Sequence, residues 1–283
     1  MFGGNKGERI PYKSTDCTLR TADFFNTQPV FSLNEATRVL APAGGRAGTV
    51  ERLKYHLKAN RLKLVTRGIY AVVPPGVSVE SFQPDLFLVA AAVRPDGVFS
   101  YHSALELLGA AHSVWTRCTL YVERRRRPLR LKSTDIRFLD YPGPMRTVPC
   151  RKLGLRKVEY RGKLFQTTGP ERTLVEGFRR PGEVGGLQEL VKSASGFAVL
   201  DLDLLQEILH CYKIANLWAA TGWFLERFRQ RFYVTEEVLY KMTQFCPRAP
   251  QYLERNRRDG VLSARWNLLL PKDLVNMGEP DER

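Results

Sequence analysis

A chain of 283 residues with 43% hydrophobic and 11% aromatic content can bury a sizeable core, which excludes a disordered polymer and suggests about two domains. Its 44 Lys+Arg against 29 Asp+Glu give a net charge of +15 and a pI near 9.8, an excess that favours nucleic acid or another anionic surface as partner. No run approaches the roughly 20 apolar residues that span a bilayer, and Gly3, Gly4, Asn5 and Lys6 stand where a signal peptide would be apolar, so a cytoplasmic protein with no membrane partner is expected.

In chain order, residues 1–26 are polar and turn-rich and read as a mobile arm, with a short helix near 22–25. VFSLNEATRVL then opens with Ser32-x-x-Glu35, a capping box in which each side chain satisfies an orphan backbone donor. Leu33, Ala36, Val39 and Leu40 fall on one face of the helix that follows. Pro42 and Gly44-Gly45 break the chain, and Thr49 is placed to cap a second helix whose apolar stripe is Val50, Leu53 and Leu57. LKLVTRGIYAVVP supplies two short β-prone runs joined at Thr66-Arg67-Gly68. Two helices, the second cationic, followed by a basic hairpin predict a winged helix-turn-helix over residues 27–76, with one helix for the major groove and a wing on the backbone.

On that reading Thr49, Arg52, Tyr55 and His56 are the candidates for base edges, since an arginine can read guanine O6 and N7 together. Arg46, Lys54, Lys58, Arg61, Lys63 and Arg67 are the candidates for phosphate or wing contacts, which position without specifying. A solvated cationic face is the plainer reading of any one of them.

Beyond the Pro74-Pro75-Gly76 break, residues 77–272 read as a larger α+β domain, with 273–283 a polar tail. A buried helix is expected over 85–95, stopped by Pro95. A strand tip then passes into a helix over 99–112, with Ser103 as cap and Gly109 as stop. The segments 118–124, 135–141 and 157–168 are β-prone, the last with an Arg161-Gly162 turn. From Pro170, suited to a first helical position and followed by Glu171, the pattern is helical until a strand-like LSARWNLLLP. The aromatics Trp218, Trp223, Phe224, Phe228, Phe232 and Tyr233 suit either a packed core or a partner surface.

Arg124, Arg125, Arg126 and Arg127, with Arg130 and Lys132 soon after, form a second basic patch, either a solvated loop or an extension of a nucleic-acid footprint. Five scattered cysteines without a C-x-x-C pair argue against a disulfide framework or zinc finger and for free thiols. The four histidines have no metal-ligand spacing, and neither metal nor cofactor is expected. His102-Ser103 lacks the Gly-x-Ser-x-Gly elbow of a nucleophile, there is no P-loop, and the carboxylates and E-x-K triplet of a nuclease are missing, so no catalytic residue is assigned.

Four segments in order carry a family resemblance: LKLVTRGIYAVV, VFSYHSALELLGA, TTGPERTLVEGF and a late RWNLLLP. Over roughly residues 30–271 the chain resembles the AbiEi-like antitoxins of bacterial type IV toxin–antitoxin systems. Ser100-Tyr101-His102-Ser103-Ala104-Leu105 to Gly109 matches that family's S-x-x-S-A-L-x-x-x-G, and Thr168-Gly169-Pro170-Glu171-Arg172-Thr173-Leu174 its T-x-x-E-R-T-L. The resemblance implies a transcriptional repressor of its own operon that binds inverted repeats through a winged domain and counteracts a nucleotidyltransferase-like toxin. The chain departs from that pattern in its N-terminal arm and in a longer connection over 41–48. A protein that blocks the toxin directly without reading DNA is the alternative, and a nuclease is a distant third.

Overall fold

The structure is a computed structural model describing residues 15–40, 44–124, 126–254 and 260–277, with residues 15–20 described as helix only. Pro42, Arg125 and the tail beyond 277 lie outside the described residues. The fold is mixed α+β and divides into two compact units, Met1–Pro95 and Asp96–Arg283.

In the first unit α1 (Thr15–Thr27) precedes β1 (Val30–Ser32), α2 (Leu33–Leu40) and α3 (Gly45–Lys58); β2 (Leu62–Thr66) and β3 (Ile69–Val72) form a hairpin, and α4 (Leu86–Val93) ends the unit. The sheet order is β1-β3-β2, antiparallel throughout, so the helix pair is inserted between the first strand and the hairpin. The capping box forms as the sequence predicts: Ser32 N–H donates to Glu35 Oε2 at 2.7 Å, and Glu35 N–H to Ser32 Oγ at 3.2 Å. Phe24, Phe31, Ala36, Leu40, Leu53, Leu62 and Tyr70 make the core, with Phe31 stacked on Tyr70 and edge-on to Phe24.

Four expectations change here. Residues 15–27 are not an arm but α1, anchored by the buried Phe24. Thr49 does not cap the second helix: α3 already starts at Gly45, and Thr49 Oγ donates back to the Gly45 carbonyl at 3.0 Å. The connection between α2 and α3 is shorter accordingly, since 45–48 are helical. Nor does the Pro74–Gly76 break end the unit, because α4, capped by Asp85 through Leu88 N–H at 2.9 Å, packs on β1 and β3.

In the second unit β4 (Val98–Phe99) leads into α5 (His102–Leu107), followed by β5 (Arg117–Val122), β6 (Leu129–Leu131), β7 (Thr134–Asp140), β8 (Leu155–Tyr160) and β9 (Lys163–Thr168). These strands form one mixed sheet in the order β6-β7-β5-β4-β9-β8. The β8–β9 turn holds Arg161 at φ 49° and Gly162 at φ 75°, the paired positive angles of a tight hairpin. Helices α6 (Pro170–Arg179), α7 (Leu187–Ser195), α8 (Leu202–Tyr212), α9 (Ala215–Arg227) and α10 (Glu236–Thr243) follow. A small sheet of β10 (Gln251–Tyr252), β11 (Val261–Ser263) and β12 (Leu268–Leu270), with the short α11 (Lys272–Val275), completes the described chain. Pro170 takes the first position of α6 as expected.

Ser103 is not a cap. It lies inside α5, fully buried, and its hydroxyl accepts from Thr119 N–H of β5 at 2.9 Å, so it stitches helix to sheet. The aromatics of α9 and the turn after it resolve as core: Trp218, Trp223, Phe224, Phe228 and Phe232 are buried, and Tyr233 alone of the six is exposed. The cysteines resolve differently from expectation: Cys150 and Cys211 form a disulfide with Cα atoms 6.2 Å apart, while Cys246 is a free thiol. The Cys17 side chain lies outside the described residues.

Candidate nucleic-acid interface

Residues of α3 are set about 100° apart around the axis, so the buried Thr49 and Leu53 fix which way every other side chain faces. Arg46, Ala47, Glu51, Lys54, Tyr55 and Lys58 are exposed, and Arg52, His56 and Leu57 are half-buried on the inward flanks. Of the four candidate base readers, Thr49 therefore points into the core and cannot reach a base. Arg52 and His56 turn toward α1, where His56 meets Phe25 edge-on with ring centroids 4.9 Å apart. Burial, and then the positive charges of Arg61 and Arg52, hold the His56 imidazole below its ordinary pKa of 6.5. Tyr55, 64% exposed, is the one of the four that faces solvent.

The candidate phosphate contacts fare better. Arg46 is exposed near the start of α3 and donates to Asn34 Oδ1 at 2.7 Å. Lys54 and Lys58 share the outward face one turn apart, Lys54 in an exposed pair with Glu51 at 2.7 Å. Such a pair contributes little and is easily exchanged for a phosphate. Arg61 follows the helix, exposed, on the α1 side. Arg67 is exposed in the hairpin turn beside Gly68, whose φ of 77° suits the turn and whose carbonyl accepts from Leu33 N–H at 2.8 Å, pinning the turn to the start of α2. Lys63 is half-buried, its ammonium directed to the Phe82 carbonyl. The structure thus brings Lys54 and Lys58 onto the outward face of α3, with Arg46 exposed in its first turn, and leaves Thr49, Arg52, His56 and Lys63 off that face. Sequence reading passed over Ala47 and Glu51, which occupy the outward face; one residue of helical phase, set by the true start at Gly45, would have found them.

In the second unit the arginine run falls in the connection from β5 to β6. Arg124, Arg126, Arg127, Arg130 and Lys132 are exposed, with the Arg126 guanidinium 6.0 Å from the centre of the Phe138 ring. The basic residues that follow are largely engaged: Arg137 with Glu183 at 3.1 Å, Arg151 with Glu123 at 2.5 Å and Arg156 with Glu171 at 3.2 Å.

Deeper in that unit lies a polar cluster that sequence reading glimpsed only as a pairing of Glu171 and Arg172. Glu171, fully buried, accepts from Arg156 and from Asp201 N–H at 3.0 Å. Arg172 and Glu176 pair at 2.8 Å with both side chains sealed from solvent. Glu176 also accepts from the Tyr121 hydroxyl at 2.8 Å and the Tyr212 hydroxyl at 2.7 Å, while Arg172 donates to the Arg151 and Leu153 carbonyls. Burial, and then the Glu176 charge, push both tyrosine hydroxyls well above their ordinary pKa, and Tyr101 up to about 12. Arg172, Glu176, Tyr121 and Tyr212 are all buried, so this part of the cluster holds charge rather than offering it.

Among the described residues no group of three or more His, Cys, Asp and Glu side chains gathers as a metal site, and no helix is long and apolar enough to cross a membrane. No protein-family model and no curated protein matches the chain. Its fold is similar to that in the crystal structure of the RV2827C protein from Mycobacterium tuberculosis, with a TM-score of 0.58 at 17% identity over 93% of this chain and 92% of that one. At such identity the likeness bears on fold alone.

Proposed function

We propose that this protein is a cytoplasmic DNA-binding autorepressor and antitoxin of a type IV toxin–antitoxin system, counteracting a nucleotidyltransferase-like toxin. The observation that carries the reading is the β1-β3-β2 sheet with α2 and α3 inserted between β1 and the hairpin, an element order shared by winged helices, combined with lysines on the outward face of α3 and Arg67 in the hairpin turn. On this reading α3 enters the major groove through Ala47, Glu51, Lys54 and Lys58, while Arg46 and Arg67 hold phosphates. The resemblance to AbiEi-like antitoxins supplies the operon context, and no catalytic step is assigned to the chain. One such module reads a short site, so an inverted repeat takes two copies.

The test is a gel shift on the protein's own upstream region against a scrambled duplex, over a salt series. Lys54→Ala, Lys58→Ala and Arg67→Ala together should weaken binding and reduce the steepness of the salt dependence by roughly 0.9 for each phosphate no longer neutralised. Equal, weak binding of both duplexes by the unaltered protein would sink the repressor reading. A second reading, direct capture of the toxin, is favoured by Tyr240 within α10 and Tyr233 before it, 65% and 88% exposed, and the exposed Phe245 just after it. Co-purification with the toxin that Tyr233→Ser abolishes would move it to the front.

A further inference from the structure

The first unit contains a cleft of about 850 Å³ between α1, the C-terminal half of α3 and the segment that follows β3. That is within the range of about 300–1,000 Å³ typical of small-molecule sites. Arg52, Arg61 and His56 line it together with the Phe25 and Tyr55 rings, and no acidic side chain is among the described residues of the lining. Arg52 Nη1 and His56 Nδ1 are buried there without a hydrogen-bond partner. Buried polar atoms are satisfied as a rule, so two orphans on one wall mark a place where a partner belongs. His56 stands edge-on to both Phe25 and Tyr55, at 4.9 and 5.2 Å between centroids, and Tyr55 lines the cleft while remaining largely exposed.

We propose that this cleft binds a small organic oxyanion carried on a flat unsaturated ring. The guanidinium of Arg52, with Arg61 beside it, suits the planar oxygens of a carboxylate or phosphate, and Tyr55 and Phe25 suit the ring. Full occupancy would supply the missing acceptor to Arg52 and offset the charges of Arg61 and Arg52, which after burial hold the His56 pKa down. Arg52 and Lys54 are two residues apart and hence about 200° around the helix axis. The anion therefore grips α3 from the side opposite its outward lysines and couples to DNA binding through the seating of that helix. The coupling, though not the site, rests on the reading of α3 as the DNA-contacting helix.

The experiment is calorimetric titration of the full chain with adenosine 5′-monophosphate, benzoate and inorganic phosphate. At least one ring-bearing anion should bind tenfold or more tightly than phosphate, and which of the two does so assigns the source as a nucleotide or an aromatic acid. Arg52→Gln and Arg61→Gln should each weaken that binding about tenfold; Arg61 is exposed, so its variant reports on the site even if Arg52→Gln misfolds. Ring-bearing anions that bind no better than phosphate, or an Arg61→Gln protein that binds like the wild type, overturn the site. So does displacement of the anion by any duplex regardless of sequence, because the cleft would then be part of a DNA surface. A gel shift without added anion tests the repressor reading separately, so either result can fail while the other stands.

Discussion

In the first unit Lys58, Arg61 and Arg67 lie exposed with no carboxylate in ion-pair range among the described residues, whereas in the second Arg172 is sealed from solvent against Glu176 and five further arginines hold glutamates. The same residue type thus serves two ends. Unpaired on a surface, a guanidinium keeps its field available to an anionic partner. Buried and paired, it is spent inside the fold, where its desolvation is offset by Glu176 and two carbonyls. Net charge alone therefore does not locate the binding surface: the +15 is spread over both units, and in the second many of the individual cations are held by carboxylates.

The largest test of that contrast is Glu176→Ala, which leaves Arg172, Tyr121 and Tyr212 without their common acceptor. It should cost about 3–5 kcal/mol, read by denaturant unfolding. All four tryptophans lie in the second unit, so their fluorescence follows that unit. A loss below about 1 kcal/mol would place Arg172 with surface pairs and break the comparison. Gly222→Ala comes next, because a Cβ there would stand 2.1 Å from Trp266 Cζ3. Overpacking of that kind costs roughly 1–3 kcal/mol, and the same tryptophan signal should shift. Ser32→Ala removes half of the capping box in the first unit and should cost about 1 kcal/mol, seen as faster amide exchange in α2 with the tryptophan transition unmoved.

The smallest effect is a pH dependence confined to the first unit. Because the folded-state pKa of His56 lies below the ordinary 6.5, the unfolded chain binds the proton more readily. Stability is then full above 6.5 and falls as the pH drops through that value toward the lowered one. Circular dichroism melts from pH 7.5 downward should show a decline that His56→Gln removes. A decline of equal size in the variant would assign it to other groups.

Local chemistry explains what the sequence reading found and what it missed. The capping box, Pro170 and the Arg161-Gly162 turn are settled by three or four neighbouring residues, so pattern sufficed. Thr49 and Ser103 are good caps by type, but each is buried in its helix, where a hydroxyl finds a carbonyl one turn back or an amide on another strand. That choice depends on where the helix begins and on what lies across from it, neither of which is local. The half-burial of Arg52 and His56 follows from α1, whose amphipathic signal in TDCTLRTADFFNT is weak. Exposed cations in the hairpin turn and the arginine run were legible because nothing distant decides them. The Cys150–Cys211 pair was not, being 61 residues apart and brought together only by the fold.

That bond makes the middle of the second unit a covalent ring, enclosing β8, β9, α6 and α7 and closing within α8. A chain so threaded does not come apart when it is cut once. Cleavage at any bond inside the ring leaves the two pieces on one molecule, so that nicked protein migrates whole on a gel until reductant is added and then as two bands. Force applied to the ends passes across the sulfur bridge and bypasses Arg172 and Glu176, which can extend only after the bridge is broken.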